Sequence, residues 1–276
     1  MKKIKENFGI DLDSDVRSFT SKDREYLIQL VKDYKVLRFK NQHLTTDELI
    51  GFSEIFGECW SNDNPSMLGG NGESTKQVGN SKVTRVSNRS NGVLGDHEID
   101  WHCDVSHKPW DSLGGTCPFR ILYAHKLPSE KTLTRWLDRE YAYTNTPEEL
   151  HKICDQLYVL NQAPYKTTWT ENIMPFVLID PCSGNKSYAL QSIFFKHFIG
   201  MTAADSKQLM NQLLEHATVP DNVMENVWEE GDLILNNNYN TAHRREKFHS
   251  AEERVLWRTT FQIPELIPLS IKPNAF

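Results

Sequence analysis

GDLILNNNYNTAHRREKFHSAEERVLWRTTF, residues 231–261, consists of two strand-like runs joined by a polar stretch that carries a histidine, His243. GDLILNNN opens it and ERVLWRTTFQI closes it. Each run has the length and apolar character of a β-strand. Upstream, IDWHCDV (99–105), FRILYAHKL (119–127) and KVTRVS (82–87) read the same way. PFVLID and SYALQS flank the turn-like PCSGNK (181–186). Helical patterns lie around these strands. FTSKDREYLIQLVKDY (19–34) is capped by Thr20 or Ser21. Thr45-Thr46-Asp47-Glu48 has the form of a capping box and opens a helix running to Gly57. TPEELHKICDQL (146–157) and ADSKQLMNQLLEHA (204–217), the latter opened by Thr202 and Asp205, complete the set. Many short strands with a few outer helices predict a mainly β chain with flanking helices and a double-sheet core. No repeat and no linker divides it, so residues 1–276 are expected to form a single domain.

Composition narrows the class. Apolar residues are 38% and charged residues 25% of the 276 residues, as in soluble globular proteins. Mean hydropathy is -0.56, and no apolar run approaches the ~18 residues needed to span a bilayer. The N-terminus, MKKIKENFGIDLD, lacks the apolar core of a signal peptide. With a net charge of -6 and no basic run, nucleic acid is not an expected partner. Five cysteines at irregular spacing suggest neither a disulfide framework nor a zinc cluster, and a cytoplasmic location is the natural expectation. The polar segment 60–98 is expected to be mostly loop.

His102-Cys103-Asp104 is the first chemical feature. On a strand, residues two apart share a face, so an imidazole and a carboxylate would project together while Cys103 points away. With His243 they make two imidazoles and one carboxylate, the set that suits iron(II) and leaves one side of the ion open. H-x-D alone is weak, since the chain has ten histidines. The same residues could hold zinc with a water, or His102 could be structural.

WHCD, a later Thr132, the run N-N-x-x-T-A-H-R-R-x-x-F and the following E-R-V-L-W-R-T together resemble the taurine dioxygenase (TauD/TfdA)-like family of Fe(II)/2-oxoglutarate-dependent oxygenases. VLRFKNQHLTTDELIGFSEIFGE resembles that family's opening strand and helix. The resemblance runs from about residue 34 to residue 262 and is weakest over 60–95. It implies a double-stranded β-helix of the jelly-roll, cupin-like kind. It implies that His102, Asp104 and His243 hold the metal, and that Arg254, eleven residues beyond His243, binds the distal carboxylate of 2-oxoglutarate. Arg258 matches a second arginine that faces the substrate or supports the co-substrate. Thr132 matches a co-substrate threonine, although Ser129-Glu130-Lys131-Thr132 departs from the family's Gly-Gly-Asp-Thr.

Residue chemistry agrees with those roles. A dicarboxylate suits a fixed, always-charged, bidentate partner, which is arginine. Arg254 and Arg258 would face one side of a strand with Leu256 between them; the bland alternative is surface pairing with Glu252 or Glu253. Asp104 argues against halogen transfer, because halogenases of this type lack the carboxylate. Candidate substrate residues are Glu98, Arg258, His107 and Trp110, with Lys108, Arg135, Tyr165, Lys166, Phe194 and Phe195 further out. A carboxylate at Glu98 opposite an arginine suggests an amino acid or amino-acid derivative. Its C–H oxidation would give hydroxylation, desaturation or a kainoid-synthase-like ring closure in specialised biosynthesis. Expected partners are this small molecule, 2-oxoglutarate and O2, with oligomeric state open. The alternatives are a Zn- or Mn-dependent hydrolase and a non-catalytic metal-binding domain on the same fold.

Overall fold

The computed structural model describes residues 2–3, 8–61, 77–89, 93–104, 106, 119–162, 171–180, 183–249 and 251–266. Two β-sheets face each other and form the double-sheet core expected of a jelly roll. The larger has the order Lys2–Lys3, Ile10–Leu12, Val36–Phe39, Leu233–Asn236, Phe119–Lys126, Val255–Phe261, Asn80–Ser87, Gln77–Val78, with Val93–Leu94 also paired to Asn80–Ser87. The smaller has the order Val223–Val227, Leu133–Asp138, Thr241–Arg245, Ile99–His102. The polar stretch before His243 is thus the crossing from one sheet to the other.

Side-chain alternation divides the larger sheet into two faces. Leu233, Leu235, Phe119, Ile121, Tyr123, Val255, Trp257 and Phe261 point outward into a core shared with two helices. Ile234, Ala124 and Leu256 point inward and meet Trp136, Met224 and Trp228 between the sheets. The helices Arg24–Tyr34 and Thr46–Glu54 cover the outer face with Leu27, Val31, Leu49 and Phe52. The expected capping box is present: Thr45 Oγ1 accepts from the Glu48 amide, and Glu48 Oε2 accepts from the Thr45 amide. The first helix begins as a 3-10 turn, Ser21–Asp23, and ends where Lys35 turns left-handed at φ 63. The second stops at Glu54, short of Gly57. A Cβ at Gly57 would lie 2.1 Å from the Gln262 carbonyl oxygen, so the position admits only glycine.

The smaller sheet's outer face carries Trp101, Leu137 and Ala242 into a second core, built with helix Ala203–Ala217 and the strands Tyr158–Gln162, Glu171–Pro175, Val177–Ile179, Lys186–Tyr188 and Phe195–Phe198. Thr202 caps that helix as expected. A short helix, Arg139–Thr144, has no clear pattern in the sequence. It is set by Asp138, whose Oδ1 accepts from the Glu140 and Tyr141 amides. None of the helices among the described residues is long and apolar enough to cross a membrane.

Candidate metal centre and anion-binding cavity

Thr241–Arg245 and Ile99–His102 pair antiparallel with His243 opposite His102. Two residues on, Arg245 is opposite Ile99, so the facing strand spends one residue more over the same stretch. This bulge lets Ile99 and His102 both face inward although they are three residues apart. The His102 and His243 ring centroids are 4.1 Å apart. Asp104 follows directly, and one ligand atom from each of the three residues lies within 4.8 Å of the others. His102 Nε2 is 3.9 Å from Asp104 Oδ1, and His243 Nε2 is 3.7 Å from Asp104 Oδ2.

The protonation states favour a metal. His102 Nδ1 is 2.7 Å from the Asp100 carbonyl oxygen, which can only accept, so Nδ1 carries the hydrogen and Nε2 keeps its lone pair. Burial lowers both imidazole pKa values, His243 to about 3, and keeps the rings neutral at pH 7. Burial would raise the Asp104 carboxyl, but Arg120, His243, His102 and Arg258 outweigh it and hold it well below the carboxylate range. Two neutral imidazoles, His102 with its Nε2 free, and one ionised carboxylate fit a divalent ion of the iron(II) type. Cys103 turns the other way and is buried in the helix-covered core, as alternation predicts.

The three residues open on a small cavity of about 50 Å³ between the sheets. Arg254, directly before the strand Val255–Phe261, and Leu256 and Arg258 on that strand all line it, with Leu256 between the two arginines. The Glu252 carboxylate meets Ser129, and that of Glu253 meets Arg85 and Lys126. Arg254 is 2% exposed and has no carboxylate partner among the described residues. Its Nε donates to Thr132 Oγ1 at 3.2 Å, and its guanidinium lies over Trp228 and Phe248. Burial, with Arg245 nearby, pulls its pKa down to about 9. A desolvated cation with an unclaimed face is a ready carboxylate site. Thr132 therefore bears on the cavity through Arg254, while Thr134, two residues on, is the threonine in the wall.

The structure takes other expected residues elsewhere. Glu98 does not reach the cavity: its carboxylate is 2.9 Å from Arg244 Nη2, and its side chain is 47% exposed. Alternation explains the difference, since Arg244 faces out between the inward-facing His243 and Arg245 and draws Glu98 with it. Arg135 is likewise outward, paired with Glu225 and Glu246, because its neighbours Thr134 and Trp136 point in. Phe195 packs on Phe198 in the second core. His107, Lys108, Trp110, Tyr165 and Lys166 lie outside the described residues.

Two charged lining residues escaped sequence reasoning. Arg120 Nη1 sits 2.6 Å from Asp104 Oδ2. Arg245 donates to the Leu94 and His97 carbonyl oxygens. Their signal was available: Arg120 is the lone charge in the apolar run FRILYA, and Arg245 is two residues from His243.

The family model for taurine catabolism dioxygenase TauD, TfdA family matches residues 1–260. An alkylsulfatase of Acinetobacter baylyi is 26% identical over 275 residues, covering 91% of this chain and 80% of its own length. A 2,4-dichlorophenoxyacetate dioxygenase of Burkholderia sp. (strain RASC), named as alpha-ketoglutarate-dependent, is 27% identical over 249 residues, covering 82% of this chain and 80% of its own. Among solved structures, a putative alpha-ketoglutarate-dependent taurine dioxygenase from Burkholderia xenovorans superposes with a TM-score of 0.80 at 22% identity, over 100% of this chain and 95% of its own.

Proposed function

The chain belongs to the taurine catabolism dioxygenase TauD, TfdA family, and from that premise we propose that it oxidises an unactivated C–H bond of a small anionic substrate beside His102, Asp104 and His243. As a 2-oxoglutarate-dependent dioxygenase it uses Fe(II), 2-oxoglutarate and O2. When bound, iron(II) would activate O2, which is the oxidant: two of the electrons it takes come from 2-oxoglutarate, which leaves as succinate and CO2, and two from the substrate C–H bond.

The protein's own part is binding and orientation. His102, Asp104 and His243 would hold the metal on one side, leaving the other open to the cavity. Arg254, fixed by Thr132 and the Trp228 and Phe248 rings, receives the distal carboxylate of 2-oxoglutarate. Arg258, which acts electrostatically on Asp104 and His243, is placed on the metal side to meet the substrate anion. One observation carries this reading: Arg120, Arg245, Arg254 and Arg258 all line the cavity, and Asp104 is the only carboxylate among its described lining residues. Cations buried at this density favour anionic ligands.

The names of the relatives, a sulfatase of alkyl esters and a phenoxyacetate dioxygenase, also describe anions. An amino acid or amino-acid derivative remains in this class through its carboxylate, and hydroxylation, desaturation or kainoid-like ring closure are the outcomes open to it. Glu98, engaged by Arg244, does not supply the ammonium partner that first suggested it. We also propose one catalytic domain over the whole chain.

Succinate release should be measured across alkyl sulfates, sulfonates, aryloxyacids, amino acids and N-alkyl amino acids, each beside a neutral isostere. Turnover confined to the anions is expected; neutral isosteres turning over equally well would overturn the proposal. Anaerobic titration with iron(II) and 2-oxoglutarate separates the rival hydrolase or non-catalytic readings, which predict no visible charge-transfer band.

A further inference from the structure

Arg120 is placed where a metal centre of this kind would not want a cation. Its strand enters the helix-covered core with Phe119, Ile121 and Tyr123, so Arg120 and Leu122 face inward by alternation. Arg120 is 6% exposed, and its Nε is buried without a partner among the described residues. Its Nη1 lies 2.6 Å from Asp104 Oδ2, the oxygen that is 3.7 Å from His243 Nε2. Arg120 and His243 thus approach the same carboxylate oxygen, one of the three ligand atoms.

A divalent ion held by those atoms would add two positive charges beside Arg120, with Arg258 also lining the cavity. Like charges this close, away from bulk water, repel strongly. Its backbone is locked between Asn236 and Thr260 in the sheet, so Arg120 cannot leave the cavity wall. What relieves the repulsion is an anion arriving with the metal. An oxo acid brings one, in the carboxylate beside its keto group.

We infer that Arg120 couples metal binding to co-substrate binding. It neutralises Asp104 while the site holds no metal, opposes a metal that arrives alone, and receives the metal-side carboxylate of the oxo acid when both arrive. This inference rests on the reading of His102, Asp104 and His243 as the metal centre. It differs in sign from the simpler idea that Arg120 only orients Asp104. An orienting residue strengthens metal binding, whereas a coupling residue weakens it until the anion is present.

The test is Mn(II) affinity, read by electron paramagnetic resonance, for the wild type, Arg120→Gln and Arg120→Lys, each with and without saturating N-oxalylglycine. Chelation alone couples the two ligands, so the Arg120 share is the ratio of the couplings. Arg120→Gln should bind Mn(II) alone at least about threefold more tightly than wild type, and its gain from N-oxalylglycine should be smaller by about fivefold or more, within the usual span of coupling energies. Arg120→Lys keeps a cation and should retain most of the wild-type coupling. Arg120→Gln binding Mn(II) alone no more tightly than wild type, or showing undiminished coupling, would overturn the inference. If Arg120→Gln folds only with Mn(II), the midpoint of Mn(II)-driven folding with and without N-oxalylglycine gives the same ratio, judged by the same criterion. Wild type that fails to bind Mn(II) overturns the metal centre and this inference together; undiminished coupling in Arg120→Gln overturns this inference alone.

Discussion

Replacing Arg254 by Met separates the cost of burying a cation from its use. Burial first and Arg245 second pull the Arg254 guanidinium down to about 9, so its charged form is disfavoured in the folded protein at neutral pH by on the order of 5 kcal/mol. Its bond to Thr132 and its contacts with Trp228 and Phe248 return about 2–3 kcal/mol. Met fills a similar volume with no charge, so Arg254→Met should stabilise the ligand-free, metal-free protein by about 1–3 kcal/mol, as other buried charges do when replaced by apolar groups. Binding should move the other way. Removing one partner of a buried charge-assisted contact costs about 2–5 kcal/mol, or about 30- to 5,000-fold in 2-oxoglutarate affinity. Urea unfolding at neutral pH gives the stability, and calorimetry with Mn(II) under nitrogen gives the affinity. A variant less stable than wild type whose 2-oxoglutarate affinity stays within threefold would refute the reasoning on both counts.

Three further outcomes are expected. The neutral His243 imidazole, lowered to about 3, makes the metal-free protein lose stability as pH falls below the ordinary histidine value of 6.5, because the unfolded chain takes up a proton that the folded one refuses; His243→Asn should flatten the urea midpoint between pH 7 and pH 5, and an unchanged slope counts against the assignment. Glu98→Gln removes an exposed pair with Arg244 and should change stability by less than about 0.5 kcal/mol and succinate release by less than about twofold; a large rise in the substrate KM would return Glu98 to the substrate site. Lys35→Met leaves Asp138, buried between Lys35 and the start of helix Arg139–Thr144, without its cation and should cost about 3–5 kcal/mol in urea unfolding; a loss under 1 kcal/mol would show that the helix amides alone satisfy Asp138.

The strands and caps were legible because each has a local cause. GDLILNNN and ERVLWRTTFQI announce their faces by alternation, and Thr45 and Glu48 name the start of their helix three residues apart. The sheet order was not legible, since it depends on which apolar faces meet across long crossings. The same limit explains the site. Alternation pairs His102 with Asp104 and Arg254 with Arg258, but what joined those pairs to each other and to His243 was the resemblance to a family motif. Glu98 misled because its direction depends on Arg244 and on a bulge that only the paired strand reveals. Arg120 lies on a strand of the opposite sheet, and its contact with Asp104 is a meeting of two sheets that spacing along the chain does not encode.

That meeting bears on how the cavity assembles. Among the described residues of the cavity wall, Asp104 balances one of four arginines, and Arg245 leans on backbone carbonyl oxygens. A divalent metal makes the imbalance larger. The two carboxylates of 2-oxoglutarate reverse that addition, one toward Arg254 and one toward the metal side, but they leave the original excess of guanidinium charge in place. A neutral substrate would leave it standing in a space removed from bulk water, where uncompensated charge is most costly. An anionic substrate lowers it, and Arg258, lining the same cavity as Arg254 and within electrostatic reach of Asp104, is placed to receive that charge next to the reacting centre. Charge balance thus orders the events: metal and oxo acid together, then the anion to be oxidised.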